Sequence, residues 1–216
     1  MDATPIRNLF QDNLSQDQKL SEKQKQVLKA ALDLFAAQGF ANTTTKQIAS
    51  LANVSEGTVY KRFKTKEQLL AAVLQPLINE SAPQAASEFQ RILTERPFAN
   101  ITDLVTTIAR DRFKFIVDNQ KEIRIIISEI LRQDGPLHDF LQLLQVSIFP
   151  PLYEQFDQLK LHNKIVNWDN NRILHYIFSI ILGYGARIVI MHEKINADKV
   201  ITELAEFLER GLAPQN

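Results

Sequence analysis

Cysteine is absent from the 216 residues, which excludes disulfides, zinc–thiolate centres and thiol nucleophiles and fits a reducing interior. Charge imbalance is absent too. Twenty-five Lys and Arg face 25 Asp and Glu, so no bulk field draws the molecule to a polyanion or a membrane, and any such binding must be local. No long hydrophobic run occurs: the longest uncharged, mostly apolar stretch, Ile173 to Ala186, stops at Arg187 and is too short to span a bilayer. The N-terminus lacks the basic and apolar regions of a secretory signal. Beta-branched alternation is nearly missing, as are a glycine-rich phosphate loop, a nucleophile elbow and an HExxH pair. The histidines, His138, His162, His175 and His192, are scattered, so no enzyme, metal or cofactor is expected. These exclusions leave a cytoplasmic, all-α protein.

What is present is a set of helix starts. Ser21 precedes Gln24 by three residues, Thr44 precedes Gln47 and Thr65 precedes Gln68, each matching a capping box in which hydroxyl and amide satisfy each other's backbone N–H. The first helix is predicted over Glu22 to Gln38, burying Val27, Ala30, Ala31, Leu34 and Phe35 and ending at Gly39. Short helices follow over Thr45 to Ala52 and from Ser55 to about Phe63, and another starts after Thr65. Residues 1–20, rich in Gln, Asp and Asn and with few apolar anchors, read as a flexible arm, although Ile6, Leu9 and Phe10 could pack back on the body. Farther on, helices are predicted over Ile101 to Asn119, Gln120 to about Arg132, Pro136 to Lys160 with a break at Pro150-Pro151, Asn170 to His192 and Ala197 to Glu209. The stretch from Pro76 to Pro97 reads as a helix tail, a loop and a partial turn.

The two short helices and the three-residue turn between them form a helix-turn-helix candidate, with Ala49 small enough for close approach and Val54 beneath. Positive charge concentrates here, five basic against two acidic residues between Phe40 and Leu70. Lys46, Thr58, Tyr60, Lys61, Arg62 and Lys66 are expected on the outward side, and Gly57 leaves room for a duplex.

From Lys25 to Val73 the chain resembles the TetR family of transcriptional regulators, through Leu34-Phe35, Gly39-Phe40, Thr43-Thr44, Ile48-Ala49, Val54-Ser55, Gly57-Thr58-Val59-Tyr60, Phe63 and Lys66-Glu67. The resemblance implies phosphate or positioning contacts from Thr44, Thr45, Thr58, Tyr60 and Lys66, and places Glu56, Gly57 and Lys61 in the groove. Two residues depart from the family pattern. Asn53 replaces the usual Gly, tolerable because Asn visits left-handed conformations, and Arg62 replaces Tyr or His, with reach to a phosphate or a guanine edge. Residues 21–72 are thus expected to form the DNA-binding domain and 73–216 a larger helical ligand-binding and dimerisation domain.

In that second domain the helix from Asn170 is apolar around most of its circumference, which implies burial on every side. Leu174, Phe178, Ile181, Gly185 and Ile188, with Leu204, Phe207 and Leu208, are expected at a homodimer interface, while Ile173, Ile177, Ile180 and Tyr184 face inward. The resemblance also implies a small-molecule effector. Phe113, Phe149, Phe178 and Tyr184, among neighbours such as Leu131 and Leu141, offer an apolar lining, and Gln145, Tyr153 and His175 offer polar handles. The expected function is a ligand-responsive repressor of a near-palindromic double-stranded operator; the alternative is a helical adaptor whose basic head meets an acidic protein.

Overall fold

The computed structural model describes residues 5–130, 142 and 144–214. The break at Gly135-Pro136, the helix start at Pro136, and Leu131, His138 and Leu141 lie outside the described residues. All regular structure among the described residues is helical. The described parts of Thr4–Ala85 and Lys121–Phe140 form one compact unit, the head; those of Ala86–Gln120 and Leu141–Asn216 form a second, the body.

The head opens with α1 (Ile6–Gln16), where a flexible arm was expected. Ile6, Phe10 and Leu14 recur every four residues, so a single stripe of α1 is buried. Burying three such side chains contributes roughly 5 kcal/mol before the opposing entropy of ordering the segment. Polar ties fix the position of α1. Lys25 donates to the carbonyl of Ser15 at 2.9 Å, and Arg7 joins Asp33 at 2.9 Å and Glu122 at 2.8 Å.

Helix α2 (Glu22–Gln38) starts in the expected capping box at Ser21 and ends at Gly39, whose φ of 82° lies where side chains are disfavoured. Leu28 and Leu32 are buried beside the predicted Val27, Ala30, Ala31 and Phe35, whereas Leu34 is only half-buried. Helix α3 (Thr45–Leu51) carries the second capping box, at Thr44, and α4 (Glu56–Arg62) is capped by Ser55. Between them Asn53 takes φ 52°, the left-handed conformation expected of a glycine substitute. Helix α5 (Lys66–Pro76) departs from the third box: Thr65 accepts from Gln68, but the Gln68 side chain reaches back to the Lys64 N–H instead.

No loop follows Pro76. A π-helical turn, Leu77–Ser81, passes directly into α6 (Ala82–Thr94). Proline lacks an N–H and crowds the preceding turn, and a wider turn accommodates that defect without ending the helix. Ala85, Phe89 and Leu93, all buried, were the helical signal in this stretch. Helix α8 (Gln120–Ile130), reached from α7 (Ile101–Asp118), contributes Glu122 and Ile125 to the head.

The core of the body is built from α7, α9 (Phe149–Leu161), α10 (Asn170–Val189) and α11 (Ala197–Leu212), around Phe113, Phe156, Ile173, Leu204 and Leu208. Pro150 and Pro151 stand in the first turn of α9, after a π-helical turn at Leu144–Ile148, so the proline pair opens a helix. Helix α10 runs twenty residues and is long and apolar enough, by length and composition, to cross a membrane. Its one-sided burial, through Ile173, Leu174, Ile177, Ile181 and Ile188, makes it a core helix of the body.

That burial corrects the expected dimer face. Leu174, Ile181, Gly185, Ile188, Leu204 and Leu208 are all buried within the chain, Phe178 is half-buried, and only Phe207, 65% exposed, points outward. Gly185 is a point of close internal approach, since a Cβ there would meet Ile116 Cδ1 at 3.1 Å. At 100° per residue, the buried side of α10 centres on Ile181 and the opposite side carries Tyr176, Ser179, Gly183 and Ile190.

Candidate nucleic-acid interface

Helices α3 and α4 are too short to stand alone. Ile48, Ala49, Val59 and Phe63 anchor them in the core of the head, and the anchors decide what faces out. With Val59 and Phe63 inward, Gly57 and Lys61 sit on the opposite side of α4; Glu56 and Tyr60 form the flank toward α3, and Thr58 and Arg62 the other flank. Glu56, Gly57, Tyr60, Lys61 and Arg62 are exposed, as are Thr44 and Lys46 on the α3 side. A methyl group on Gly57 would meet only Ser55 Oγ, at 3.8 Å, so folding leaves this position open.

Several side chains expected to meet phosphate are already engaged. Thr45 donates to Glu56 Oε1 at 2.8 Å and lies 3.1 Å from the Tyr60 hydroxyl. Thr58 contacts Ser55 Oγ at 2.9 Å. Thr44 caps α3. Lys66 differs most from expectation. Its ammonium donates to the carbonyls of Phe40 at 2.9 Å, Thr43 at 3.0 Å and Ala41 at 3.4 Å, and lies 4.3 Å above the Phe40 ring. An ammonium has three protons, and all three are met by the loop that delivers α3, so in this structure Lys66 clamps that loop. Arg62 lines a hollow in the head with Asn13, Asp17, Lys19 and Glu80, away from the centre of the outward face.

In the body, the rings of the candidate effector site fall into two groups. Phe113 meets Tyr184 edge-on at 5.9 Å, and Phe149 contacts Tyr153 at 6.2 Å and Phe178 at 6.3 Å. Tyr153 donates to Asn171 at 2.5 Å; burial, then the charge of Asp169, pushes its pKa up. Two expected handles are elsewhere. Gln145 is exposed, and His175 is exposed because two residues of helix turn it about 200° from both Ile173 and Ile177. A residue the sequence reading passed over is Arg112, whose guanidinium lies 4.0 Å from the Phe89 ring and 4.7 Å from Phe115 and pairs with Asp111. Burial lowers its pKa and the Asp111 carboxylate opposes that shift. An Asp-Arg pair inside the apolar repeat of α7 was the available signal.

With this geometry in hand, the similarity to known proteins is specific. Residues 27–73 match the bacterial regulatory proteins of the tetR family. The chain carries a TetR-family helix-turn-helix region. Within and around this TetR-type region, the chain is 48% identical over 50 residues to the uncharacterized HTH-type transcriptional regulator YvkB of Bacillus subtilis, covering 23% of this chain and 26% of that protein. It is 40% identical over 70 residues to an HTH-type transcriptional repressor of Mycobacterium tuberculosis, covering 32% of this chain and 37% of the repressor. The chain thus matches between about a quarter and two-fifths of the length of these relatives. The fold likeness extends farther. A TetR-family regulator from Mesorhizobium loti superposes with a TM-score of 0.63 at 18% identity, covering 88% of this chain and 96% of that one. The regulator FadR of Bacillus subtilis, solved with stearoyl-CoA, gives 0.62 at 20% identity, covering 86% and 97%. The fold is therefore shared over most of the chain, at 18 to 20% identity.

Proposed function

We propose that this chain is a transcriptional regulator that binds a near-palindromic operator as a homodimer and represses until a small apolar or amphipathic effector releases it. The observation that carries the reading is the outward face of α4, where an exposed Lys61 stands beside a glycine that folding does not require. A helix presenting that face enters a major groove with little steric penalty, while Lys46 and Arg62 are placed to flank it with cations. Selection of bound fragments from a randomised duplex library tests this directly, a palindrome being expected and the absence of any enriched sequence refuting it. On the recovered operator, Lys46→Ala should lower the slope of log affinity against log salt by about one, the signature of one lost phosphate contact.

The homodimer rests on the exposed side of α10 and α11. Tyr176, Leu182, Ile190, Met191 and Phe207 are 41 to 69% exposed, and Gly183 has nothing within 4 Å of a notional Cβ. A mid-helix glycine costs about 1 kcal/mol relative to alanine, and a second helix packed closely against Ser179 and Gly183 offsets that cost. Gly183→Ala should therefore weaken self-association in sedimentation experiments even as it raises the helix propensity of α10. An unchanged association constant would remove Gly183 from the interface.

For the effector, the rings of Phe113, Phe149, Tyr153, Phe178 and Tyr184 in the body suit a hydrocarbon chain, and a protein of the same fold holds stearoyl-CoA. Arg112 supplies a cation within the same unit for an acidic head group. Differential affinity of about 1–3 kcal/mol between DNA-competent and DNA-incompetent states suffices for a 5- to 150-fold release.

A further inference from the structure

The hydrogen bonds across Thr45 have a direction. A threonine hydroxyl has one proton, and a carboxylate only accepts. The proton therefore goes to Glu56 Oε1, at 2.8 Å, and the Tyr60 hydroxyl, 3.1 Å from Thr45 Oγ1, must be the donor in the second contact. The relay runs from Tyr60 through Thr45 to Glu56. It ties the first turn of α3 to two successive turns of α4, and it consumes the donor protons of both hydroxyls.

What remains for an incoming partner along this flank is a row of acceptors: lone pairs on Tyr60 and the second oxygen of Glu56. A phosphate brought here meets negative charge and no proton. The Lys61 ammonium lies at the centre of the face and Arg62 on the far flank, so the flank toward α3 is chemically distinct from the rest. In a major groove, the donors that match such a row are the exocyclic amino groups of cytosine and adenine. Adenine sets the N7 lone pair beside its amino group, which repels a carboxylate spanning that edge; cytosine presents its N4 amino group with no acceptor of its own beside it.

We infer that Glu56, oriented by Thr45 and Tyr60, is a specificity-determining residue that selects a cytosine at one position of each operator half-site. This rests on the reading of α3 and α4 as the DNA-binding face. Because the relay holds Glu56 in place before binding, little side-chain entropy is lost when the base is met.

The test is duplex selection with the full-length chain carrying no change, Glu56→Gln, Thr45→Val or Tyr60→Phe, with circular dichroism melts confirming that each is folded. The unchanged chain should recover a half-site with an invariant cytosine. Glu56→Gln should move that one position toward adenine, whose N6 and N7 a glutamine amide can engage together, with about a tenfold loss of cytosine preference and the other positions unaltered. Thr45→Val should weaken the same preference without replacing it. A selected sequence identical for the unchanged chain and Glu56→Gln overturns the role of Glu56 and leaves the DNA-binding reading intact. Failure of the unchanged chain to enrich any sequence overturns both.

Discussion

Replacing Arg7 with methionine should lower the unfolding free energy by about 3 kcal/mol, measured by urea denaturation followed by helical circular dichroism. The reason lies in the asymmetry of the two carboxylates that Arg7 joins. The Glu122 side chain is 4% exposed and bonded to Arg7 Nε at 2.8 Å, whereas the Asp33 side chain is 47% exposed. Removing one partner of a buried ion pair strands the other charge, at a cost of about 3–5 kcal/mol. The low end applies because Arg7 itself is a third exposed and water can enter the gap. Two comparisons make the cause visible. Asp33→Asn should cost under about 1 kcal/mol, as exposed pairs do. Adding Glu122→Gln to Arg7→Met should recover much of the loss, because no ionised carboxylate is then stranded. Equal costs for Arg7→Met and Asp33→Asn would show that the buried carboxylate is not what Arg7 serves.

Lys66→Met should cost about 2 kcal/mol, since a charged group giving its protons to main-chain carbonyls contributes about 1.5–3 kcal/mol and the contact with the Phe40 ring adds to it. The same change should weaken operator binding while leaving the salt slope where it was, because what is lost is the setting of the loop before α3, not a phosphate contact. Lys46→Ala and Lys66→Met therefore make opposite signatures: the first alters the salt slope with little effect on the melt, the second alters the melt with little effect on the slope. A slope lowered by about one for Lys66→Met would return that residue to the phosphate backbone.

The comparison of these two lysines shows what the sequence could and could not supply. Caps, the glycine at 39 and the asparagine at 53 are local devices, each acting within a few residues, and they placed α2, α3 and α4 closely. Whether a lysine on the face of such an element meets solvent or three carbonyls more than twenty residues earlier is a tertiary fact. Helix α1 was passed over because its Gln- and Asn-rich composition outweighed a stripe of three apolar residues, and no capping side chain marks its start. On α10 the apolar residues surround the helix, so periodicity named the helix but set its inner side off-centre: Ile173 and Ile177 are buried as expected, whereas Ile180 and Tyr184 are half-buried and Leu174, Ile181 and Ile188 are buried in their place. The two glycines show this sharply: a Cβ on Gly185 would meet Ile116, whereas one on Gly183 would have nothing within 4 Å among the described residues, although they stand only two positions apart. The aromatic groups of the body were foreseeable from composition, but Arg112 between two phenylalanines required the pairing of α6 with α7.

The Arg7 ties bear on modular exchange. Regulators are often imagined as interchangeable heads and bodies, joined at whatever point the family pattern ends. Here the matched segment, residues 27–73, omits Arg7, Leu14, Lys25 and Glu122. A chimera cut at those limits would carry a carboxylate at Asp33 with no cation, and one that kept α8 but not α1 would inherit a buried acid with nothing to meet it. The part of the head that keeps its charges paired is therefore discontinuous in sequence, with residues from outside 27–73 holding those within it.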